Sequence, residues 1–570
     1  MIIPTDSVVE SDFQNLESAH SLFNRRRSDP MVQFGNIGEL LGHWVGIQPD
    51  KNWLTFLDET GVAQQLTYTE FALQVRKTAT MLVDNCNVYP GERIAILMTN
   101  DPAVVVTYFA AWLIGAVIVP VNIGEDDDRL EFILRNSEAV AAIGLADQLT
   151  RCQAVYREGG NLRHLISTDI QVDGLDFFQD AVEESQPIQD LPHVTTDTEC
   201  LIVYTSGTTG APKGVSLSQY NLMVDAKSIA DWHRFTQGDR AMCILPLHHV
   251  NGTIVTLMTP IYSGGSLVLN KRFHAQSFWN NLASQKCTWV SLVPTILAFL
   301  CETMPDVLPI DRNVFRHFIC GAGPMTVDLA RRFDDAFHLR VVHGYGLSET
   351  TCYSCFLPID LTHDLYRHWM LECGFPSIGC PIEANEMAIQ DAEGVALPED
   401  VRGEIVIRGH NVMNYYFKRP EVNTDTFKHG WFRSGDEGFF RRGDDGLDYY
   451  FITGRLKELI IRGGVNYSPF DIDEVLNTID GIKAGMAVGF ENNFYGEEVG
   501  AYVQLETGSR LDADEVIRQC REQLPYIKCP KVVVFGVTFP VTSTGKYQRN
   551  KLKPLFEEWK DIQFREARNG

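Results

Sequence analysis

Cys200-Leu201-Ile202-Val203-Tyr204-Thr205-Ser206-Gly207-Thr208-Thr209-Gly210-Ala211-Pro212-Lys213-Gly214-Val215 joins an apolar run to a turn rich in glycine and hydroxyls. Residues 200–203 have the length and composition of a strand buried in a parallel sheet. The glycines that follow let the backbone approach a ligand and turn successive N–H groups inward, which makes a nest for anions. Thr205, Ser206, Thr208 and Thr209 add donors, and Lys213 adds a point charge suited to phosphate. A plain surface turn explains the small polar residues but neither the strand in front nor the lysine behind. The stretch reads as a polyphosphate loop. It is not the P-loop, which needs G-x-x-x-x-G-K-[ST]; here Lys213 follows Pro212 and precedes Gly214.

The rest of the chain sets limits on that reading. At 570 residues it is too long for one core, so two or more domains are expected. A formal charge of −25, from 49 basic and 74 acidic residues, disfavours nucleic acid and anionic lipid as partners. A polyanionic substrate therefore needs a local basic cluster. The first thirty residues carry no apolar leader, which points to a cytoplasmic protein. Residues 103–121 imitate a membrane span, but Gly115 and Pro120 divide them, predicting a buried helix and then a strand. Thirteen cysteines are scattered, and Cys352, Cys355, Cys373 and Cys380 lack the paired spacing of a zinc site; reduced, buried thiols are expected.

In order, residues 53–57 and 65–68 predict a strand pair, and Thr69 is expected to cap a helix running to Asp84. Residues 93–97 predict a strand, 102–114 a helix and 117–121 a strand, the alternation of right-handed βαβ crossovers. Helix is predicted over 218–232 and strand over 240–245, ending in Pro246-Leu247-His248-His249-Val250-Asn251-Gly252. The acyltransferase pattern H-H-x-x-x-D fails there, because Thr253 stands where Asp is required. Residues 318–324 run from a strand into the turn of Gly321, Ala322 and Gly323. Residues 343–350, HGYGLSET, fail as G-x-G-x-x-G because Glu349 holds the sixth place. An aromatic between Gly344 and Gly346 suits stacking on a base, and Ser348 and Glu349 suit a phosphate and Mg²⁺. From 374 to 453 short β-rich pieces predict a small distorted barrel or sheet, with Asp436 at a strand end. Near the end, residues 540–546, PVTSTGK, put Lys546 on a polar loop.

Taken in this order and spacing, the motifs resemble those of the adenylate-forming superfamily, in particular the AMP-dependent acyl-CoA synthetases and ligases, from about residue 35 to 555. The resemblance implies an α/β protein with a large N-terminal domain over 1–456. That domain would hold doubly wound αβ sheets and a small distorted β-barrel over 375–453. A smaller, mobile α+β domain over 457–570 would turn about a hinge at Lys457. It also implies residue roles. Thr205 to Gly210 and Lys213 would hold the ATP phosphates. Tyr345 and the turn of Gly321, Ala322 and Gly323 would enclose adenine. Gly344, Gly346, Ser348, Asp436, Arg455 and Lys457 would complete the nucleotide site. Glu349 and Thr205 would hold Mg²⁺, and Lys546 would bridge carboxylate and α-phosphate. His249 would shape the acid pocket together with Asn251, Thr253, Gly321 and Gly344. Arg462, Gly463, Gly464 and Asn466 would meet CoA. Small residues at 321 and 323 suggest room for a bulky acid. Three positions depart from the pattern: Ser348 for the usual Thr, Tyr415 for Gly, and Tyr547 for an aliphatic residue.

The reaction implied is attack of a small-molecule carboxylate on ATP, loss of pyrophosphate and transfer of the acyl group to CoA. An amine or a separate carrier protein remains an alternative acceptor; no carrier-type D-S-L segment follows. A non-catalytic nucleotide-binding module should lack Glu349 or Lys546, and both are present. A serine hydrolase is disfavoured by the absence of G-x-S-x-G. Monomer and homodimer stay equally open.

Overall fold

The computed structural model describes residues 10–22, 26–157, 160–205, 211–323, 325–541 and 547–565. The strand Glu199–Thr205 forms where its apolar run predicts. It pairs parallel with Val117–Pro120, Leu201 opposite Ile118, and antiparallel with Lys213–Ser218, Tyr204 opposite Gly214. These strands are the middle of an eight-stranded sheet, and a nine-stranded sheet lies beside it. Parallel pairs such as Trp289–Leu292 with His317–Cys320 need helical crossovers, so helices cover both sheets and the strands are buried on both faces.

Residues 103–121 divide as the sequence predicts. The helix Pro102–Leu113 has Asp101 as its cap, its carboxylate accepting from Ala103 N–H at 2.9 Å. After it comes the strand Val117–Pro120. Trp112 is fully buried and donates its indole N–H to Cys200 O at 2.8 Å, tying this helix to the strand before the phosphate loop. Among the described residues no helix is long and apolar enough to cross a membrane. One local expectation fails. The helix expected to start at Thr69 is Tyr68–Thr80, capped by Thr67, whose partner Glu70 completes a reciprocal capping box. The box wins because the strand Val62–Thr67 delivers a hydroxyl three residues ahead of a glutamate.

The strands Asn385–Gln390, Gly403–Gly409, Phe432–Arg442 and Asp448–Arg455 form an antiparallel sheet of four. All thirteen cysteines are free, and among the described residues no group of three or more His, Cys, Asp or Glu side chains is arranged to hold a metal.

From Ile460 onward a separate sheet contains Ile460–Arg462, Val465–Tyr467, Ile482–Asn492, Gly496–Leu505 and Val532–Phe535. Its apolar cores are its own, one around Ile472, Val499 and Val516, the other around Phe490 and Phe556. Contacts back to the larger lobe include Arg402–Asp471 at 2.8 Å, Lys483–Glu302 at 2.9 Å and Val327 N–H to the Glu474 carboxylate at 3.2 Å. Partly exposed ion pairs contribute only ~0–1 kcal/mol each, so these contacts tie the two lobes together weakly.

Candidate functional site

The antiparallel pairing of the last two barrel-region strands puts Asp436 opposite Arg455. Asp436 is 2% exposed; Tyr345 donates its phenol to one carboxylate oxygen at 2.7 Å, and Arg455 Nε stands 3.1 Å from the other. Arg455 is held further into the charged form chiefly by Asp436, with Glu458, Tyr345 and Glu349 acting in the same sense. Glu349 sits on the single turn Ser348–Thr350 at the end of the strand Val341–Tyr345. Its Oε1 accepts from the Tyr416 hydroxyl at 2.7 Å, and Lys213 Nζ lies 4.7 Å from the centre of the Tyr416 ring. Burial lowers the Lys213 pKa, the positive charges of Lys457 and Arg419 push the same way, and Glu349 opposes them. Lys213 and Arg455 thus both feel Glu349, and Lys457 and Arg419 act on Lys213, a local basic cluster in a chain of charge −25. Mutual repulsion among cations is what a site for a polyanion requires.

Segments remote in sequence support this cluster. Met413 N–H donates to Glu349 O at 2.8 Å, and the ring N–H of His20 donates to Met413 O at 2.7 Å. Arg27, from the Arg-rich start of the chain, reaches Asn414 Oδ1 at 3.0 Å. The Tyr415 hydroxyl lies 3.4 Å from Glu199, which also bonds Ser216, so this departure from the family pattern has a polar partner. Thr205 Oγ1 stands 3.5 Å from Lys213 O across the start of the loop. Ser206, Gly207, Thr208, Thr209, Gly210 and Lys546 lie outside the described residues.

The turn around His249, expected to shape the acid pocket, is assembled differently. The His248 and His249 rings are 4.2 Å apart, and burial pushes the His248 pKa down to about 4, so that ring is neutral at pH 7. His249 is half-buried, and its N–H donates to Pro246 O at 3.2 Å. A methyl at Gly252 would lie 2.4 Å from Pro246 O, so the turn closes only with glycine there. A cavity of about 310 Å³ borders this turn, lined by His248 with Asn100, Ile123, Lys271, Arg272 and Ile296 among others. Asn251 opens the wide-wound helix Asn251–Met258; its Oδ1 accepts from Ser291 Oγ at 2.7 Å and its Nδ2 is 3.4 Å from Tyr353 Oη. Thr253 is spent on the turn itself, donating to Leu247 O at 2.6 Å.

The expected room for a bulky acid is not where the small residues suggested. A methyl at Gly321 would meet Tyr353 Oη at 2.6 Å, and one at Gly344 would meet the Phe356 ring at 2.4 Å. Those glycines are small because two aromatic rings press against them. Gly323 has Pro294 at ordinary contact distance, 3.5 Å. Ala322 takes a left-handed φ of +64° between them.

Tyr353 owes its place to a strained return of the chain. Thr351 has φ 63° and ψ −56°, and Cys352 N–H bonds Thr350 O at 2.7 Å, a γ-turn of the rare positive-φ kind. A β-branched residue there costs roughly 1–3 kcal/mol. Thr351 Oγ1 donating to Asn411 O at 2.6 Å, and Asn411 Nδ2 donating to Tyr353 O at 3.0 Å, help hold it.

In the smaller lobe Gly463 and Gly464, with φ 59° and 80°, make the two-residue turn between paired Arg462 and Val465, the left-handed geometry a tight hairpin demands. Arg462 Nε is 2.7 Å from the fully buried Glu498, while Gly463, Gly464 and Asn466 are exposed at the tip.

Two large mixed sheets, an antiparallel sheet beside them, a separable small lobe and a cationic pocket around one carboxylate define a nucleotide-handling α/β enzyme. The profile for AMP-binding enzymes matches residues 41–417, and that for the AMP-binding enzyme C-terminal domain matches 471–546. The chain belongs to the AMP-binding enzyme family, the adenylate-forming ligases. It is 31% identical to a sulfoacetate–CoA ligase of Cupriavidus necator over 92% of this chain and 99% of that protein. It is 30% identical to a feruloyl-CoA synthase of an Amycolatopsis species over 86% and 94%. The crystal structure of ATP-bound MatB from Rhodopseudomonas palustris superposes with a TM-score of 0.81 at 25% identity, over 92% of this chain and 99% of that one.

Sequence reasoning passed over Tyr416, Arg419, Ser291 and Tyr353. Tyr416 was legible only through its neighbour Tyr415, and Tyr353 only as the fourth residue after Glu349. Nothing in the local pattern around Ser291 marks it.

Proposed function

We propose that the protein is an AMP-forming acid–thiol ligase that activates a small carboxylic acid with ATP and passes the acyl group to CoA. The observation that carries this is the basic cluster of Lys213, with Lys457 and Arg419 acting on it, and Arg455 beside Glu349 and the Tyr345–Asp436 pair. In the first step a carboxylate oxygen bonds the α-phosphorus, the bond to the bridging oxygen breaks, and pyrophosphate leaves. Two anions must meet, so the site's task is to supply positive charge that is already in place. Lys213 serves the departing phosphates, Arg455 and Asp436 the ribose side, and Tyr345 the base. Lys546 from the smaller lobe bridges carboxylate and α-phosphate. Glu349 and Thr205 are hard oxygen donors of the type Mg²⁺ takes; Tyr416 bonds Oε1, and Oε2 is the second donor. When bound, the ion neutralises phosphate charge.

In the second step the CoA sulfur, as thiolate, bonds the acyl carbon and AMP leaves. The weakly tied smaller lobe supports rotation about a hinge at Lys457, which withdraws Lys546 and presents the tip of Arg462, Gly463, Gly464 and Asn466 to the thiol. The CoA-ligase names of the relatives support CoA over an amine or carrier protein. The test is acid-dependent exchange of labelled pyrophosphate into ATP, then AMP release with CoA present. Exchange with no acid offered overturns the reading; exchange followed by AMP release with an amine but not with CoA overturns the acceptor.

A further inference from the structure

We propose that Tyr353, with Asn251 and Ser291, closes the far end of the acid pocket and restricts the enzyme to short acids that carry a hydrogen-bonding group opposite the reacting carboxylate. This rests on the ligase reading above and names its substrate class.

The three side chains come from separate elements: the first residue of the helix Asn251–Met258, the strand Trp289–Leu292, and the return after the γ-turn. They converge beside the Gly321 turn, at the carboxyl ends of parallel strands where open α/β sheets bind ligands. Tyr353 is 2% exposed, and its ring is backed by Phe356 at 4.4 Å between centroids. A methyl at Gly346 would lie 2.6 Å from Tyr353 Cα, so the backbone beneath the ring is held as closely as the ring. The phenol therefore cannot swing aside without displacing packed neighbours. A long alkyl chain or an aryl ring has to occupy the space the Tyr353 ring fills.

The chemistry of the end wall agrees. Ser291 is fully buried and Asn251 is 6% exposed, and burial keeps the Tyr353 phenol neutral by raising its pKa well above the ordinary value. An apolar tail laid against this amide and phenol gains no hydrogen bond from them, whereas a hydroxyl, carbonyl or similar group on a short acid does. A site built around such bonds rejects ligands that lack the group more strongly than an apolar slot rejects an extra methylene.

The test compares 3-hydroxypropanoate, malonate, octanoate and cinnamate in acid-dependent pyrophosphate exchange. The full-length protein should prefer one of the short polar acids to octanoate and cinnamate by about tenfold or more in kcat/KM. Tyr353→Ala should raise the rate with octanoate or cinnamate and lower it with the short acid, reversing the ratio. Tyr353→Phe should keep the long acids out yet weaken the short one. A preference of the unaltered protein for octanoate or cinnamate overturns the proposal, as does a folded Tyr353→Ala whose ratio is unchanged. Should Tyr353→Ala not fold, Ser291→Ala and the profile of the unaltered protein decide. Exchange with no acid at all would overturn the ligase reading itself, a result distinct from exchange with the wrong acids.

Discussion

On the proposed reading the nucleotide end holds Lys213, Arg455 and Glu349, ionisable and partly exposed, whereas the acid end holds Asn251, Ser291 and Tyr353, neutral and buried. Ionised groups that await a polyanion must stay hydrated until it arrives, because burying them unpaired is prohibitive. Neutral donors and acceptors bear burial if they bond each other in the meantime, as Ser291 and Asn251 do. One end is thus a charge trap and the other a gauge, and substitutions should separate them.

Glu349→Gln should have the largest effect, a loss of about 10²–10³ in exchange that is the same for every acid, measured with one short and one long substrate. A loss that differed between acids would erase the distinction between the two ends. Asp436→Asn removes the charge that Tyr345 and Arg455 share. It should raise the KM for ATP by ~10–100-fold with little change in acid preference, since bonds to charged groups are worth ~1.5–3 kcal/mol. Tyr416→Phe, which takes one neutral hydroxyl from Glu349, should cost only about fivefold, again for all acids, and steady-state rates will show it.

The smallest effect should come from the contact between the lobes. Glu474 has its carboxyl pKa raised to about 8, chiefly by burial, with the Val327 N–H opposing and Asp473 and Asp328 adding to the rise. A group whose folded pKa exceeds its ordinary 4.5 contributes most below that value, and the contribution is lost as pH rises towards about 8. Arg331 and the start of the helix Val327–Phe337 face the same carboxyl and moderate the shift. Between pH 5 and 8 the melting temperature of Glu474→Gln should therefore fall less than that of the unaltered protein, while rate ratios between acids stay fixed.

The same contrast explains what the sequence made legible. Phosphates demand contiguous backbone N–H groups and a nearby lysine, so the strand–loop–strand from Glu199 to Ser218 announces itself in one stretch. Glu349 follows a strand on a short turn and Arg455 ends one, while Asp436, expected at a strand end, lies inside the strand Phe432–Arg442 because that strand runs on to pair with Asp448–Arg455; the structure brings the three together. The acid end has no contiguous signature. Ser291, Asn251 and Tyr353 are separated by 40 and 102 positions from one another along their bonded pairs, and they meet only through sheet order. For the same reason Gly321 read as open space in the sequence, when it is small to admit the Tyr353 ring. The helix cap at Thr67 was missed for a simpler cause: Thr67 and Thr69, two residues apart, competed, and only Thr67 has Glu three residues on.

The γ-turn at Thr351 sits at the centre of the three-residue link, Thr350 to Cys352, between Glu349 and Tyr353. Tyr353 is thereby anchored at its backbone as well as at its ring, so an oversized acid would be turned away before it binds.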